Sequence, residues 1–337
     1  MYIIGAILAF SVLIIIHEFG HFALAKLNNA KVEVFSIGMG PKILSYKGKE
    51  TEYTLCLLPI GGYVKILGED GENTKDERSF ASKNPWQKLS IVSAGAFMNF
   101  VLAIVLFSII AMVQGYVIPT ISKVDINTPA MKSGLISGDK LLSVDNHKIL
   151  TWEDFSTGVI LAKGNSINLT INRNGTNKSF RITPMKNAQE NRFIIGVYPS
   201  MITKPNIFQA TRYSFLETGS IIKQSFLSIK MLFTGQASFS DMSGPVSIIR
   251  VTSQAAKSGI LNLLGFTAYI SVALAIFQIL PIPALDGGWI FLFLLEIITG
   301  KKIDNKKVGI ANSIGFALLF TLMIAVTIKD ILYPIKF

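Results

Sequence analysis

The sequence has few charged residues for its length. Asp, Glu, Lys and Arg make up 16% of the 337 residues, whereas a soluble domain carries about a quarter. This shortage argues against a cytosolic enzyme and against a nucleic-acid-binding protein, even though the net charge is +11. Half of the residues are apolar, which also excludes an intrinsically disordered chain, because disorder requires low hydrophobicity.

Cysteine and histidine are scarce as well. Cys56 is the only cysteine, so no disulfide can form within the chain, and cysteine usage indicates no redox compartment. Histidine occurs only at positions 17, 21 and 147. Any metal site in this chain therefore has few imidazoles to draw on.

Four long runs are free of charge: Tyr2–Ile16, Ile91–Val113, Ser258–Leu285 and Val308–Ile328. Because roughly 20 apolar residues span a bilayer core, the last three qualify as transmembrane helices, and the first qualifies if its helix continues to about Leu24. The first run lacks the basic start and small-residue cleavage site of a signal peptide. The sequence thus predicts a polytopic α-helical membrane protein with four transmembrane helices.

Lysines near the ends of these runs predict the orientation, because cytoplasmic loops are enriched in Lys and Arg. Lysines flank residues 25–90 at both ends, and four more lie in the connection 300–307, whereas residues 114–122 carry no charge. We therefore expect residues 25–90 and 286–307 to be cytoplasmic. Residues 115–257 are expected on the other side of the membrane.

The regions between the apolar runs contain β-like patterns. Glu52–Leu58 and Tyr63–Leu67 are predicted strands on either side of a Pro-Ile-Gly-Gly break. Residues 117–200 carry short β-like runs separated by turn residues, which is typical of a compact module with its own core. Phe208–Phe233 has apolar residues at helical spacing but also charged residues, among them Glu217, Lys223 and Lys230, which favours an amphipathic helix on the membrane surface. A fifth transmembrane helix is the alternative.

The first run ends in the pattern His-Glu-Phe-Gly-His, residues 17–21. In a helix, His17 and His21 lie one turn apart on one face, where two imidazoles can bind one tetrahedral Zn²⁺. Glu18 is suited to take a proton from the attacking water. A polar helix end at the headgroup level, with hydrated histidines, is the alternative interpretation.

A catalytic zinc needs a third protein ligand. His147 belongs to the module expected across the membrane, so we expect a carboxylate. Asp286 is the only charged residue within Ser258–Leu295, and it lies among prolines and glycines that interrupt the helix. Irregular backbone at membrane depth is tolerated only where it is buried in protein or lines a wet cavity. An Asp that caps the next helix is the alternative.

Taken in order, these motifs resemble the site-2 protease family of intramembrane zinc metalloproteases, especially bacterial regulators of the envelope stress response with one PDZ domain. The resemblance implies that His17, His21 and Asp286 bind zinc and that Glu18 is the general base. The matching segments span nearly the whole chain: His17–His21, Phe35–Pro41, Leu58–Lys65, Gly95–Phe100, Ser243–Pro245 and Leu285–Gly288.

The resemblance also implies substrate contacts for two amide side chains. The family has Asn where this chain has Gln278, in an Asn-x-x-Pro frame; Gln keeps the amide donor on a longer arm. The second span of the family has Gly-Pro-x-x-Asn, whereas here Ala96 replaces the proline and Asn99 remains. Asn99 either contacts substrate or joins neighbouring helices.

The resemblance further implies that the two predicted strands form a membrane-dipping β-hairpin. The edge of such a hairpin would provide hydrogen-bond partners for an unwound transmembrane substrate. An ordinary cytoplasmic hairpin is the alternative.

Residues 134–139, Gly-Leu-Ile-Ser-Gly-Asp, resemble the Gly-Leu-x-x-Gly-Asp turn of PDZ domains, which bind carboxy termini by strand addition. Gly134 and Leu135 are accordingly candidates for contact with a C-terminal peptide. In this family the extracytoplasmic PDZ domain is implied to filter substrates by the size of their outside portion, so that an upstream site-1 protease must cut first. A folded spacer without a ligand is the alternative.

We predict an intramembrane zinc endopeptidase of the bacterial cytoplasmic (inner) membrane that cleaves single-pass membrane proteins, such as anti-sigma factors, or remnant signal peptides. A homologue that binds membrane helices and PDZ ligands without cutting them is the alternative. A zinc transporter would require further intramembrane ligands. The expected regions are 1–114 (two transmembrane helices, the zinc motif and the hairpin), 115–203 (PDZ domain), 204–257 (interfacial helix and linker) and 258–337 (two transmembrane helices with Asp286).

Overall fold

The computed structural model describes residues 2–69, 76–187, 192–236, 242–301 and 305–334. Part of the lysine-rich connection 300–307 therefore lies outside the described residues. The chain forms two compact units. We call residues 1–106 with 228–337 the membrane unit, and residues 107–227 the β unit.

Among the described residues, four helices are long and apolar enough to cross a membrane. They are α1 (Tyr2–Leu27), α2 (Pro85–Gln114), α7 (Ile260–Ile279) and α9 (Asn305–Leu332, with its apolar part at Val308–Leu332). This confirms the four predicted spans, and the chain is a multi-pass membrane protein. The amphipathic helix α5 (Ile207–Phe233) is not one of the four candidates.

The segment predicted to be a linker contains a further helix, α6 (Pro245–Ser258), which packs against α1, α7 and α9. Pro245 occupies the first turn, where its missing N–H costs nothing. The backbone N–H of Ser247 donates to the buried Asp330 carboxylate at 2.8 Å. A side chain at Gly244 would come within 2.8 Å of that carboxylate, so the Ser-Gly-Pro motif shapes a capped helix start.

Strands β1 (Val32–Lys47) and β2 (Glu52–Ile66) form a curled antiparallel hairpin. This corrects the strand prediction, because Glu52–Leu58 and Tyr63–Leu67 both fall in β2, which ends at Ile66, and the partner β1 was not predicted. Gly61, with φ +91°, lets the chain bend at the predicted break without ending the strand. Val34 pairs with both Glu52 and Lys65. The start of β1 is therefore flanked on both sides by β2, and the end of β2 forms one edge of the sheet. Apolar side chains in the second half of β1 and the middle of β2 are exposed: Ile43, Leu44, Tyr46, Leu57 and Leu58.

The β unit is built on one antiparallel sheet. The strands of this unit are β3 (Tyr116–Val124), β4 (Lys140–Val144), β5 (His147–Lys148), β6 (Ile167–Arg173), β7 (Thr176–Ile182), β8 (Met185–Asn187), β9 (Arg192–Ile194) and β10 (Val197–Ile202). The strand order in the sheet is β10-β3-β4-β6-β7, with β5 beside β4, and β8 and β9 form a separate pair. Two short helices, α3 (Pro129–Lys132) and α4 (Trp152–Leu161), complete it.

The core of the β unit follows the two-residue period of its strands. Ile167, Leu169 and Ile171 alternate along β6 and are fully buried, because successive side chains of a strand point to opposite faces. Phe155 and Val159 of α4 pack onto the same core. The predicted compact module with its own apolar core is therefore present.

The turn formed by residues 134–139 is held by a buried ion pair. The Arg173 guanidinium donates to both oxygens of the fully buried Asp139 carboxylate at 2.7 Å, and to the carbonyl of Gly134 at 2.9 Å. Leu135 is 3% exposed and belongs to the core. The motif thus has a structural explanation within the β unit.

One buried carboxylate in the β unit is poorly compensated. Glu217 lies on α5, and one of its carboxylate oxygens is buried without a hydrogen-bond partner among the described residues. Burial and the nearby charge of Glu153 raise the pKa of Glu217 to about 7, although the Tyr213 hydroxyl donates to it.

We predict that Glu217→Gln stabilises the β unit at pH 8 by about 2 kcal/mol but changes its stability little at pH 4. Below the ordinary glutamate pKa, the carboxyl group is neutral in both the folded and unfolded states. As the pH rises towards 7 and above, the wild-type protein must bury a charge that Gln lacks. Hydrogen exchange of the β6 amides in the two full-length proteins measures this difference; a gain of equal size at both pH values would contradict it.

Candidate metal centre

Helix α1 carries His17 and His21 on the face that packs against α2. A side chain at Gly20 would collide with the backbone carbonyl of Ala94, so the two helix backbones touch, as small residues allow in membrane helices. His17 is only 5% exposed. The apolar run and the pattern of small residues therefore bury both imidazoles at a helix–helix contact.

Asp286 is placed by a break between two helices. Helix α7 ends at Ile279, and α8 (Asp286–Thr299) begins at Asp286 itself. Leu285 occupies the N-cap position without a side-chain cap, so Asp286 does not cap α8. Side chains at Gly287 or Gly288 would collide with backbone of residues 279–283, which explains two consecutive glycines at a tight turn.

The three predicted ligands converge on one point. The Nε2 atoms of His17 and His21 are 3.1 Å apart, and they lie 3.2 and 3.3 Å from Asp286 Oδ2. A regular tetrahedron with zinc–ligand bonds of about 2.0–2.1 Å has edges of about 3.3 Å. The observed spacing therefore matches three corners of a zinc site.

The chemistry of this cluster also suits zinc. It is the one group of three potential His, Cys, Asp or Glu ligands found among the described residues. Asp286 Oδ2 is buried without a hydrogen-bond partner in the described part of the chain. Two imidazole nitrogens and a carboxylate oxygen, with one position left open, form a typical catalytic zinc donor set.

One face of α2 supports the two imidazoles. Ile91, Gly95 and Asn99 recur every fourth residue and therefore share that face. The Ile91 carbonyl lies 2.9 Å from His21 Nδ1, which favours a proton on Nδ1 and leaves Nε2 free to bind metal. A Cβ at Gly95 would stand 2.6 Å from Cε1 of His17 and would also collide with His21.

Asn99 lies behind His17 and is fully buried. Its amide nitrogen is 3.4 Å from His17 Nδ1, and its amide oxygen has no partner among the described residues. Because amide N and O exchange by a half turn, that oxygen can accept the Nδ1 proton of His17. The Ser271 hydroxyl of α7 donates to the backbone carbonyl of Asn99 at 2.8 Å. Asn99 thus contacts the metal cluster rather than the cleft in front of it.

The cluster opens into a cleft that the hairpin partly covers. Glu18 lines the cleft and accepts a hydrogen bond from the Val64 N–H of β2. Gln278, in the last turn of α7, lines the same cleft, and its side-chain oxygen is buried without a partner among the described residues. Tyr63 and Trp289 form further parts of the wall.

The remaining candidate residues lie elsewhere. His147 is exposed on β5 of the β unit. Gly134 and Leu135 lie in the turn held by Arg173, outside the groove between α4 and β9. That groove is lined by apolar side chains of both elements, among them Trp152, Phe155, Val159, Phe193 and Ile194.

Sequence reasoning missed the support provided by Ile91 and the contact of Gly95 with both imidazoles. The four-residue spacing of Ile91, Gly95 and Asn99 was the available signal, since it places all three on one helix face.

The site combines a helical His-Glu-x-x-His pattern with an aspartate from a distant part of the chain, whose oxygen lies beside both imidazoles. A glutamate lines the adjoining cleft. These features define a membrane-embedded metal-dependent hydrolase. The comparison with known families identifies the group. The chain belongs to peptidase family M50, the site-2 protease family, whose profile matches residues 5–322.

Similar proteins cover nearly the whole chain. A Clostridium acetobutylicum protein is 52% identical over 99% of this chain and 98% of its own length. The zinc metalloprotease RasP of Geobacillus kaustophilus is 31% identical over 98% of this chain and 97% of its own length. The regulator of sigma-W protease RasP of Bacillus subtilis is 30% identical over 98% of both chains. The present chain is a zinc metalloprotease of this family.

We predict that Gly95→Ala weakens zinc binding by at least tenfold, because the added methyl group must displace both imidazoles. Gly5→Ala is the matched control, since its methyl group would meet neighbours at an ordinary 3.7 Å. Zinc content after dialysis against graded chelator concentrations measures the effect. Equal retention by the two variants would contradict the proposed contact.

Proposed function

We propose that this chain is an intramembrane endopeptidase in which His17, His21 and Asp286 bind zinc and Glu18 is the general base. The observation that carries the proposal is the convergence of three donor atoms within 3.3 Å of one another at a break between membrane helices. The substrates proposed are single-pass membrane proteins, such as anti-sigma factors, and remnant signal peptides. The name of the Bacillus subtilis relative, a regulator of sigma-W protease, supports this class.

The proposed mechanism assigns proton transfer to Glu18. Zinc held by His17, His21 and Asp286 would supply Lewis acidity to polarise the scissile carbonyl and to lower the pKa of water. Glu18 lines the same cleft as the ligand atoms and takes the proton of the attacking water. It then returns that proton to the leaving amine as the peptide bond breaks. The Val64 N–H holds the carboxylate in place.

Gln278 is proposed to stabilise the oxyanion or to position the substrate. Its side chain lines the cleft, and its unpartnered amide oxygen is not committed to another described group. The amide is therefore free to turn its N–H₂ group towards an oxygen in the cleft. Asn99, by contrast, is proposed to hold His17 in the metal-binding tautomer.

The hairpin is proposed to dip into the membrane and to receive the unwound substrate. A transmembrane helix satisfies its own amides, and these need new partners when the helix opens in lipid. The end of β2 lies at an edge of the sheet, and Tyr63, Val64 and Ile66 line the cleft. The exposed apolar side chains of the hairpin, in the second half of β1 and the middle of β2, are suited to contact lipid.

The β unit is proposed to be a PDZ domain outside the cytoplasmic membrane of a bacterium. A peptide carboxy terminus would add along the groove between α4 and β9. We propose that the domain filters substrates by the size of their outside portion, so that a site-1 protease must act first. In this proposal, residues 1–114 and 258–337 form the proteolytic part, and residues 204–257 join it to the PDZ domain at 115–203.

A non-catalytic helix-binding homologue was suggested by Gln278 in place of Asn. The complete ligand set beside Glu18 favours an enzyme over such a binder. The single ligand cluster among the described residues likewise gives no support to a zinc transport path.

We predict that Glu18→Gln lowers cleavage of a model transmembrane peptide in detergent by about 10²–10⁴-fold while zinc content stays at the wild-type level. Gln preserves the shape of the side chain but cannot accept the proton. Glu296→Gln, in α8 and outside the cleft, is the matched control and should cleave normally. Cleavage by Glu18→Gln that is sensitive to chelator and as fast as wild type would remove Glu18 from this role.

We predict that Gln278→Leu lowers kcat by about 10²-fold, because one hydrogen-bond donor to the oxyanion is lost. KM and zinc content should change little. Gln278→Asn, which keeps the amide, should retain most of the activity. If the Leu and Asn variants lose activity equally, the side chain acts through its length or packing and not through its amide.

A further inference from the structure

The loop that carries Asp286 contains a residue in an unfavourable backbone conformation. Ala284 has φ +74°, in the left-handed region that a Cβ atom disfavours. Five of the seven non-glycine residues with positive φ in the described chain are Asn or Asp, whose side chains can stabilise this conformation locally. Alanine has no such group, so the conformation of Ala284 requires support from outside the loop.

Ala284 sits where its conformation decides the direction of the chain. Pro283 precedes it, and Asp286 follows two residues later at the start of α8. Proline fixes its own φ, so the loop has few ways to relax between the two positions. If Ala284 returned to a common backbone region, the chain leaving it would no longer deliver the Asp286 carboxylate to the same point.

Helix α9 supplies a hydrogen bond to this loop. The N–H of Ala284 donates to the side-chain oxygen of Asn312 at 3.2 Å. Ala284 lines the cleft, and this side-chain acceptor fixes the direction in which its N–H points. Asn312 provides that acceptor from a different element.

A second α9 residue brings the helix close to the loop. Gly315 is buried, and a Cβ atom there would stand 2.7 Å from Pro283 Cβ and would collide with the Pro283 carbonyl. Asn312 and Gly315 are three residues apart and share one helix face. Only 11% of the apolar stretch of α9 is buried. The contact with the loop is therefore local and does not form part of a large core.

We propose that Asn312 and Gly315 are positioning residues for the metal ligand Asp286, and that they act by holding Ala284 in its left-handed conformation. The inference rests on the proposed role of Asp286 as a zinc ligand. It adds a contribution of the fourth membrane helix to a site whose ligands come from α1 and α8.

The test uses the full-length protein in detergent and follows transfer of bound zinc to a chromophoric chelator. Asn312→Ala should weaken zinc binding by about three- to tenfold, the usual effect of one hydrogen bond between membrane helices. Ser313→Ala is the matched control, because Ser313 lies on the same helix and, within the described part of the chain, donates only to the Gly309 carbonyl of that helix. Thermal unfolding of the two variants should be alike, since a general structural defect would lower the melting temperature of the first alone.

A second-site variant tests the mechanism. Glycine adopts positive φ without strain, so Ala284→Gly should restore zinc binding of Asn312→Ala to within about twofold of wild type. If Asn312→Ala does not fold, two variants of Ala284 test the same mechanism. Ala284→Val should bind zinc more weakly than Ala284→Gly, because a β-branched residue disfavours positive φ. Gly315→Ala should also release zinc faster than wild type.

Wild-type zinc retention in Asn312→Ala, failure of Ala284→Gly to rescue it, or equal binding by the two Ala284 variants would overturn the inference. Asp286→Ala separates this result from the proposed function. If that variant binds zinc as wild type does, the ligand assignment itself is wrong. If it loses zinc while Asn312→Ala does not, only the positioning role fails.

Discussion

Two imidazoles from the first membrane helix and one carboxylate from the start of α8 must meet at tetrahedral spacing in an apolar environment. The observed separations of 3.1 to 3.3 Å require close approach of backbones from distant parts of the chain. Small residues make this approach possible: Gly20 lies against α2, Gly95 lies against both imidazoles, and Gly287 lies against the loop before α8. A side chain at any of these positions would separate the donor atoms.

The same constraint explains the irregular backbone between α7 and α8. A continuous helix satisfies its own amides but leaves no place for a carboxylate and water. The break exposes backbone groups. The described structure satisfies some of them by turns within the loop, as where the Leu285 N–H donates to the Ile282 carbonyl, and one with the Asn312 side chain. The hairpin on the other side of the cleft offers an edge strand. The catalytic proposal thus joins a fixed metal site to a surface that can receive an extended substrate.

Sequence patterns predicted the four spans and the β-rich module, because these follow from charge-free length and two-residue alternation. Helical spacing placed His17 and His21 on one face, whereas Asp286 was nominated as the lone charge beside a Pro- and Gly-rich break. The strand pair near the metal site was predicted wrongly, since both predicted strands belong to β2 and the partner strand β1 was not predicted. Residues 245–257 were expected to be a linker, although Pro245 at the first turn and apolar residues on one face are signals of a helix. The turn around Gly134 has a structural explanation through Arg173, which lies 39 residues away in sequence. The support from Asn312 also depends on tertiary contact, and no local pattern indicates it.

The central claim is that His17, His21 and Asp286 share one zinc ion. X-ray absorption spectroscopy at the zinc edge, applied to the purified full-length protein, tests it most directly. The account predicts two imidazole nitrogens and oxygen ligands at about 2.0–2.1 Å, with the imidazole signal lost when both His17 and His21 are replaced. A sulfur ligand at about 2.3 Å, or an unchanged imidazole signal in that double variant, would contradict it.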